Sequence, residues 1–255
     1  MACLKRVYIY SSDVSALVGR HRWCASQAFE RVWRKCDVVH APPLETVKTK
    51  LEKILGAREL STLSRESIQD LPAEAVGLAR EYLNTLHGIT RETHTLDKFE
   101  KHREITLDKS QKLYSKRLFC TKSFDWYVCG KVDGKCSEYI VEAKNRISRF
   151  MDPVPEYERV QVHVYMWLLG MSRTMLVEHL NENMRVTDIT CDQQFTEKIL
   201  EELKLSLSRL DEFATGPVQS KMEYLQKSVE ERDAFIRNGL NEESVPDENI
   251  VCDID

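Results

Sequence analysis

Hydrophobic and polar positions alternate along residues 124–144, which predicts extended strands. β-branched and aromatic residues flank the turn at 133–135, where an Asp-Gly pair tolerates tight backbone geometry. Side chains on a strand alternate between its two faces, so Glu142 and Lys144 project to the same side. We therefore predict a hairpin in which Asp133, at the end of the first strand, points across at Glu142.

Helical periodicity dominates the remaining chain. We predict helices over residues 11–18, 25–37, 44–54, 73–87, 156–169, 193–214 and 219–238. We predict strands within 104–120, and a further hairpin from 173–180 and 184–189. This order predicts an α/β fold in which a small mixed β-sheet is flanked by helices and the N-terminal part is mostly helical. We divide the chain into a single domain over 1–216, a C-terminal helix over 217–240 and an acidic, mobile tail over 241–255.

Composition places few limits on this picture. The chain has 255 residues, of which 42% are hydrophobic and 31% charged, which is typical of a soluble protein. The net charge of −4 is unlike that of most nucleic-acid-binding proteins, but charge can be segregated into local patches. No apolar run is long enough to cross a bilayer, so we expect no membrane association. Eight cysteines without paired spacing indicate a reducing, intracellular compartment, either cytoplasm or nucleus.

Two carboxylates and a lysine converging on one spot suit a divalent cation. Mg²⁺ prefers oxygen ligands and is usually held by one or two carboxylates, and we expect Mn²⁺ to substitute for it. A lysine beside the ion can position or deprotonate a water that attacks a phosphodiester. Taken alone, Asp133 with Glu142-x-Lys144 also fits a surface hairpin with a solvated charge pair. The surrounding sequence decides between these two interpretations.

Two further motifs flank this string. Ser12 to Arg22 forms a Ser-x-x-x-x-hydrophobic stretch upstream, and Gln161-Val-His-Val-Tyr165 follows downstream. Together with the Asp…Glu-x-Lys string, they resemble the PD-(D/E)XK nuclease superfamily, and more narrowly its phage λ exonuclease and YqaJ-type viral recombinase branch. The resemblance covers about residues 10–170 and implies a restriction-endonuclease-like core.

The resemblance also implies roles for individual residues. It gives catalytic roles to Asp133, Glu142, Lys144 and Gln161, and a supporting role to Tyr165. It gives metal-binding roles to Glu92, Asp133, Glu142 and the Ala143 carbonyl, and DNA-phosphate-binding roles to Ser12, Arg22 and Arg20. Glu81 fits the same Gly-x-x-x-Glu pattern as Glu92, but it lies farther from Asp133 in sequence, so we favour Glu92.

The function implied is a metal-dependent DNA exonuclease that hydrolyses phosphodiesters from a 5′ end of duplex DNA, in recombination, repair or DNA processing. Two alternatives stay open: an endonuclease on DNA or RNA, and a catalytically silent nucleic-acid-binding module. Some relatives bind an iron–sulfur cluster through a tight C-terminal cysteine group, which this sequence lacks, so we predict no cluster. The expected partner is duplex DNA with a free end. A homo-oligomer and a single-strand-annealing protein partner remain open.

Overall fold

The computed structural model describes residues 4–21, 25–43 and 45–240, which form two small mixed sheets flanked by helices. The helices are α1 (Ser11–Leu17), α2 (Ala25–Cys36), α3 (Val47–Leu55), α4 (Ala57–Ser61), α5 (Ala73–Arg103), α6 (Glu156–Leu169), α7 (Gln193–Thr215), α8 (Val218–Gln226) and α9 (Val229–Leu240). The strands are β1 (Lys5–Tyr10), β2 (Tyr114–Cys120), β3 (Phe124–Gly130), β4 (Gly134–Lys135), β5 (Ile140–Asn145), β6 (Arg173–Leu180) and β7 (Asn183–Thr190). The predicted α/β class is confirmed.

The first sheet has the strand order β1-β3-β2, with β1 parallel to β3 and β2 antiparallel to it. The second has the order β4-β5-β6-β7. Its central pair, β5 and β6, is parallel, and α6 forms the crossover between them, as parallel neighbours require. The predicted β6–β7 hairpin is confirmed.

The predicted hairpin around residues 133–135 is wrong in its pairing. Strand β3 ends at Gly130 and lies in the first sheet, where its buried face packs into the core. The two residues of β4 pair with β5 in the second sheet, Gly134 opposite Val141. The chain therefore changes sheets at 131–133, which places Asp133 at the junction. Residues 5–10, for which we predict no strand, form β1 because they pair with the distant β3.

Helix α5 continues well past the end predicted for it at residue 87. A glycine inside a helix costs about 1 kcal/mol relative to alanine, which weakens the helix without ending it at Gly88. The Gly88 carbonyl also accepts a hydrogen bond from Asn145 Nδ2 at 3.1 Å. Farther along α5, Leu96 and Phe99 are buried against the second sheet. Tertiary packing therefore extends α5 to Arg103.

Two other predicted elements differ from those observed. The segment 104–113, predicted to contain a strand, is mostly irregular, and only Asp108 bridges to Lys135. The single helix predicted over 219–238 is split into α8 and α9, with the chain extended at Lys227. The predicted 241–255 tail lies outside the described residues, and the proposed domain limits stay a prediction.

The largest core lies between the inner face of the first sheet and helices α2, α6 and α7. Trp33 and Trp126 are fully buried there, and each buried side chain of this kind contributes roughly 2–3 kcal/mol. A smaller core joins α3, α4 and the first turns of α5 around Leu51 and Ala79. Helix α5 thus spans from this small core to the second sheet. Within the described ranges, we find no helix long and apolar enough to cross a bilayer.

Candidate active site

A cleft of about 290 Å³ lies where the middle of α5 crosses the C-terminal half of β5. Glu92 lines it from α5, Asp133 from the junction between the sheets, and Glu142 and Lys144 from β5. The site is therefore built from one strand, one linker and one helix. Five of the residues predicted for the site, Ala143 included, are brought together here, although up to 52 positions separate them in the chain.

Hydrogen bonds connect Asp133 to the backbone of β5 and join the Glu142 and Lys144 side chains on that strand. Asp133 Oδ2 accepts a hydrogen bond from the Ala143 backbone N–H at 2.8 Å. Lys144 Nζ donates to Glu142 Oε1 at 2.8 Å, because these two side chains share one face of the strand. The other face is buried by Val141 against Leu96 and Phe99. The strand therefore holds one face in the core and offers the opposite face to the cleft.

Ionising all the acidic side chains of the cleft would leave more negative charge than the protein compensates. Burial and the neighbouring Glu142 carboxylate raise the pKa of Asp133 to about 8. Glu142 is only 3% exposed, and its Oε2 has no hydrogen-bond partner among the described residues. Burial would lower the pKa of Lys144, but the charge and hydrogen bond of Glu142 outweigh it and raise that pKa. Lys144 is therefore a protonated donor at neutral pH.

A hydrogen-bonded chain behind Lys144 fixes its position. Lys144 Nζ donates to Gln161 Oε1 at 3.2 Å, and Gln161 Nε2 donates to the Tyr165 hydroxyl at 3.0 Å. The 3.6-residue period of α6 puts these last two side chains on one face. Tyr165 is buried and is also hydrogen-bonded to Ser11. A Cβ at Gly130 would stand 2.5 Å from Ser11 Oγ and 2.8 Å from Tyr165, so glycine permits this close approach.

Glu92 completes one wall of the cleft from α5. Burial, and then the charge of Glu142, raise the pKa of Glu92. Its Oε1 accepts a hydrogen bond from Gln111 Nε2 at 3.0 Å. The alternative acid, Glu81, lines a different groove, so the geometry favours Glu92. In the described part of the chain, no three Asp, Glu, His or Cys side chains already form a closed metal-binding cluster.

Comparison with solved structures shows that the fold of this chain is a known one. The alkaline exonuclease LHK-Exo from Laribacter hongkongensis has a TM-score of 0.50 and 11% identity, covering 86% of this chain and 91% of that one. This chain has the fold of the alkaline exonuclease. The fold implied by the sequence resemblance is thereby confirmed. No protein-family model and no curated protein matches the sequence.

Two further structures show the same kind of likeness. LHK-Exo in complex with dAMP has a TM-score of 0.48 and 10% identity, over 86% of this chain and 91% of that one. A phage-related exonuclease from Haemophilus somnus 129PT has a TM-score of 0.47 and 13% identity, over 85% of this chain and 97% of that one. The likeness to LHK-Exo, at 11% identity, shows the fold alone, and the roles of individual residues depend on the geometry of the site.

Of the residues predicted to bind DNA phosphate, the two that the structure describes, Ser12 and Arg20, do not line the cleft. Ser12 is exposed in the first turn of α1, whereas its neighbour Ser11 faces Tyr165. Arg20 is bound within the protein, since its Nη2 donates to Glu202 Oε1 at 2.7 Å and its Nη1 pairs with Glu156. Arg22 lies outside the described residues. Phosphate binding by Ser12, Arg20 and Arg22 stays a prediction.

The sequence patterns missed a buried ion network beside the cleft. Arg146, which follows β5, donates to Glu158 Oε1 and to Glu178 Oε1, both at 2.7 Å. Arg185 donates to the other oxygen of Glu178 at 2.7 Å. A signal was present, because Glu178 interrupts an otherwise apolar stretch of β6, and a charge in such a stretch must be paired. Asn145 also ties β5 to α5 by accepting from Thr95 Oγ1 at 2.7 Å.

Proposed function

We propose that this chain is a divalent-metal-dependent deoxyribonuclease that removes nucleotides from a 5′ end of duplex DNA, in recombination, repair or DNA processing. The observation that carries the proposal is the meeting of Asp133, Glu142 and Lys144 in one cleft. The exonuclease fold supports a phosphodiester substrate. The 5′ polarity rests on the motif resemblance to the λ exonuclease branch.

The residues of the cleft fit a hard divalent cation such as Mg²⁺ or Mn²⁺. Glu142 Oε2 has no hydrogen-bond partner among the described residues, and the raised pKa of Asp133 means that its carboxylate form lacks a compensating cation. Asp133 and Glu142 would hold the ion, and Glu92 and the Ala143 carbonyl would complete its ligands. When bound, the ion stabilises the negative charge that develops on the phosphoryl oxygens.

The remaining side chains orient the reactants. The Lys144 ammonium is protonated at neutral pH, so it donates hydrogen bonds to the attacking water or to the phosphate rather than accepting a proton. Gln161 accepts from Lys144 and donates to Tyr165, which fixes the direction of the ammonium. Holding a water in line with the scissile bond in this way lowers the barrier by pre-organisation.

The test uses linear duplex DNA labelled at the 5′ or the 3′ end, with and without Mg²⁺, and separates the products by size. We expect cleavage only with the metal, progressing from the 5′ end. Glu142→Ala should abolish cleavage and leave the fold intact. Glu138→Ala, an exposed glutamate just before β5, serves as the matched control and should cleave at the wild-type rate. A Glu142→Ala protein that cleaves as fast as the wild type would overturn the site.

Two further arms separate the alternatives. Cleavage of a covalently closed circle, or of RNA, would replace the 5′-exonuclease assignment with an endonuclease on DNA or RNA. Lys144→Ala should bind DNA and fail to cleave it. Wild-type protein that binds DNA but cleaves nothing with Mg²⁺ or Mn²⁺ would make the chain a binding module and end the nuclease proposal.

A further inference from the structure

A second groove, of about 640 Å³, opens directly beside the catalytic cleft. The groove and the cleft share three lining residues, Asn84, Asn145 and Arg146. None of the residues that line this groove is acidic, and four are arginines: Arg65, Arg80, Arg146 and Arg149. We call it the arginine groove. Its charge is opposite to that of the cleft, which is lined by three carboxylates.

The arginines reach the groove from separate parts of the fold. Arg65 precedes the short 3-10 helix Glu66–Asp70, Arg80 lies on α5, and Arg149 lies in the loop after β5. All three are exposed. Arg65 Nη2 donates to Asn84 Oδ1 at 3.0 Å, which orients one side of its guanidinium. Elements distant in sequence therefore converge to give one positively charged surface.

The side chains of Arg80 and Arg149 make no hydrogen bond or ion pair with any other described residue. Some exposed arginines elsewhere are paired, as Arg117 is with Asp125 and Arg173 with Asp188, whereas others, such as Arg58 and Arg103, form no ion pair with a described residue. Guanidinium groups left without a counter-ion, in a concave surface without carboxylates, present donors for an external anion. The net charge of −4 is therefore segregated, with this positive patch next to the acidic cleft.

We propose that the arginine groove binds the phosphodiester backbone of the DNA strand on its way into the catalytic cleft. This inference rests on the proposed nuclease function of that cleft. The shared lining residues Asn145 and Arg146 place the two cavities side by side, so a strand whose scissile phosphate lay at Glu142 could continue into the groove. The exposed apolar side chain of Ile147 also lines the groove and can contact the sugars.

The experiment measures binding apart from cleavage. A fluorescent duplex with one free end is titrated by anisotropy in the absence of divalent cations, over a range of salt concentrations. The double variant Arg80→Ala/Arg149→Ala should bind on the order of a hundredfold more weakly, about tenfold for each lost charge-assisted contact. The slope of log affinity against log salt should fall by about two, because each neutralised phosphate releases counter-ions.

Two control variants isolate the cause. Arg103→Ala removes an exposed arginine from the other end of α5, about 35 Å from Arg80 along the helix at 1.5 Å per residue. It should leave both affinity and salt slope unchanged. The double lysine variant at Arg80 and Arg149 keeps the positive charge, so it should retain the salt slope while losing part of the affinity. Circular dichroism melting confirms that each variant is folded.

The outcomes distinguish this inference from the nuclease proposal. Unchanged affinity and salt slope in the double alanine variant would overturn the groove assignment and leave the nuclease standing. Weakened binding in that variant, with no cleavage by the wild type, would support the groove and overturn the nuclease. Inorganic phosphate that displaces DNA far better than chloride at equal ionic strength would indicate a site for a single phosphate and overturn the strand assignment.

Discussion

Two pairs of buried carboxylic acids lie close together in this protein, and they differ in how far positive groups compensate their charge. Glu158 and Glu178 are 2% and 0% exposed, yet each is bound by Arg146, and Glu178 is also bound by Arg185. Burial alone would raise the pKa of Glu178, but the Met151 N–H and the two arginines outweigh it and lower that pKa. This pair is fully compensated, as buried charges in a stable core must be.

The cleft pair is not compensated. Asp133 and Glu142 have one ammonium, that of Lys144, and one backbone N–H between them. The pKa of Asp133 is raised to about 8, and Glu142 Oε2 is left without a partner among the described residues. An isolated buried charge is costly. Such a deficit of positive charge is therefore typical of a site that binds a ligand. The contrast supports the cleft as the candidate functional site and the Arg146 network as its structural support.

The largest expected effect comes from removing charge from the cleft. Asp133→Asn keeps an acceptor for the Ala143 N–H but removes one of the two like charges. Cleavage should fall by roughly a thousandfold or more because the cation loses a ligand. Thermal stability at pH 9 without metal should not fall, and should rise if repulsion dominates. A marked loss of stability in that scan would show that Asp133 is structural.

The next effect comes from breaking the compensated pair. Arg146→Ala leaves two buried carboxylates with less counter-charge, which should cost about 3–5 kcal/mol. For a chain of this size, the melting temperature should fall by roughly 10 °C. The exposed Arg149→Ala, three residues later, provides the control and should change stability by less than about 0.5 kcal/mol. Equal melting temperatures for the two variants would contradict the network's structural role.

A pH series on the metal-free wild type gives a smaller effect. The folded-state pKa of Asp133, about 8, lies above its ordinary value of 3.8, so between these values the folded state binds more protons than the unfolded state. Stability should therefore fall as pH rises from about 4 to 8, by several degrees in melting temperature. Mg²⁺ should restore stability, and more strongly at pH 8 than at pH 5. Asp133→Asn should remove most of this dependence, and calorimetry with and without Mg²⁺ measures it.

The smallest effect concerns the support of Lys144. Tyr165→Phe removes the hydroxyl that accepts from Gln161, which should cost about 1 kcal/mol of stability. The turnover number should fall up to about tenfold because the Gln161–Lys144 pair loses its anchor, with little change in KM. Steady-state kinetics on a labelled duplex measures both. A change confined to KM would mean that Tyr165 acts in binding DNA.

Local patterns predicted much of the fold and half of the cleft. The period-2 alternation of β5 placed Glu142 and Lys144 on one face, and the 3.6-residue period of α6 placed Gln161 and Tyr165 on another. These relations depend only on bonds and dihedral angles within one element. For that reason, helices α6 and α7 and the β6–β7 hairpin were also predicted nearly to their ends.

What the sequence by itself determined, then, was the set of elements and the side chains that each one presents together. The tertiary structure alone decided that β3 and β5 belong to different sheets, and that β1 pairs with a strand 119 residues later. It also decided that α5 runs through Gly88 to carry Glu92 to the cleft, and that Arg146 binds inward. The physical reason is that pairing and ion-pair compensation depend on the energies of contacts between distant segments, which local periodicity does not encode.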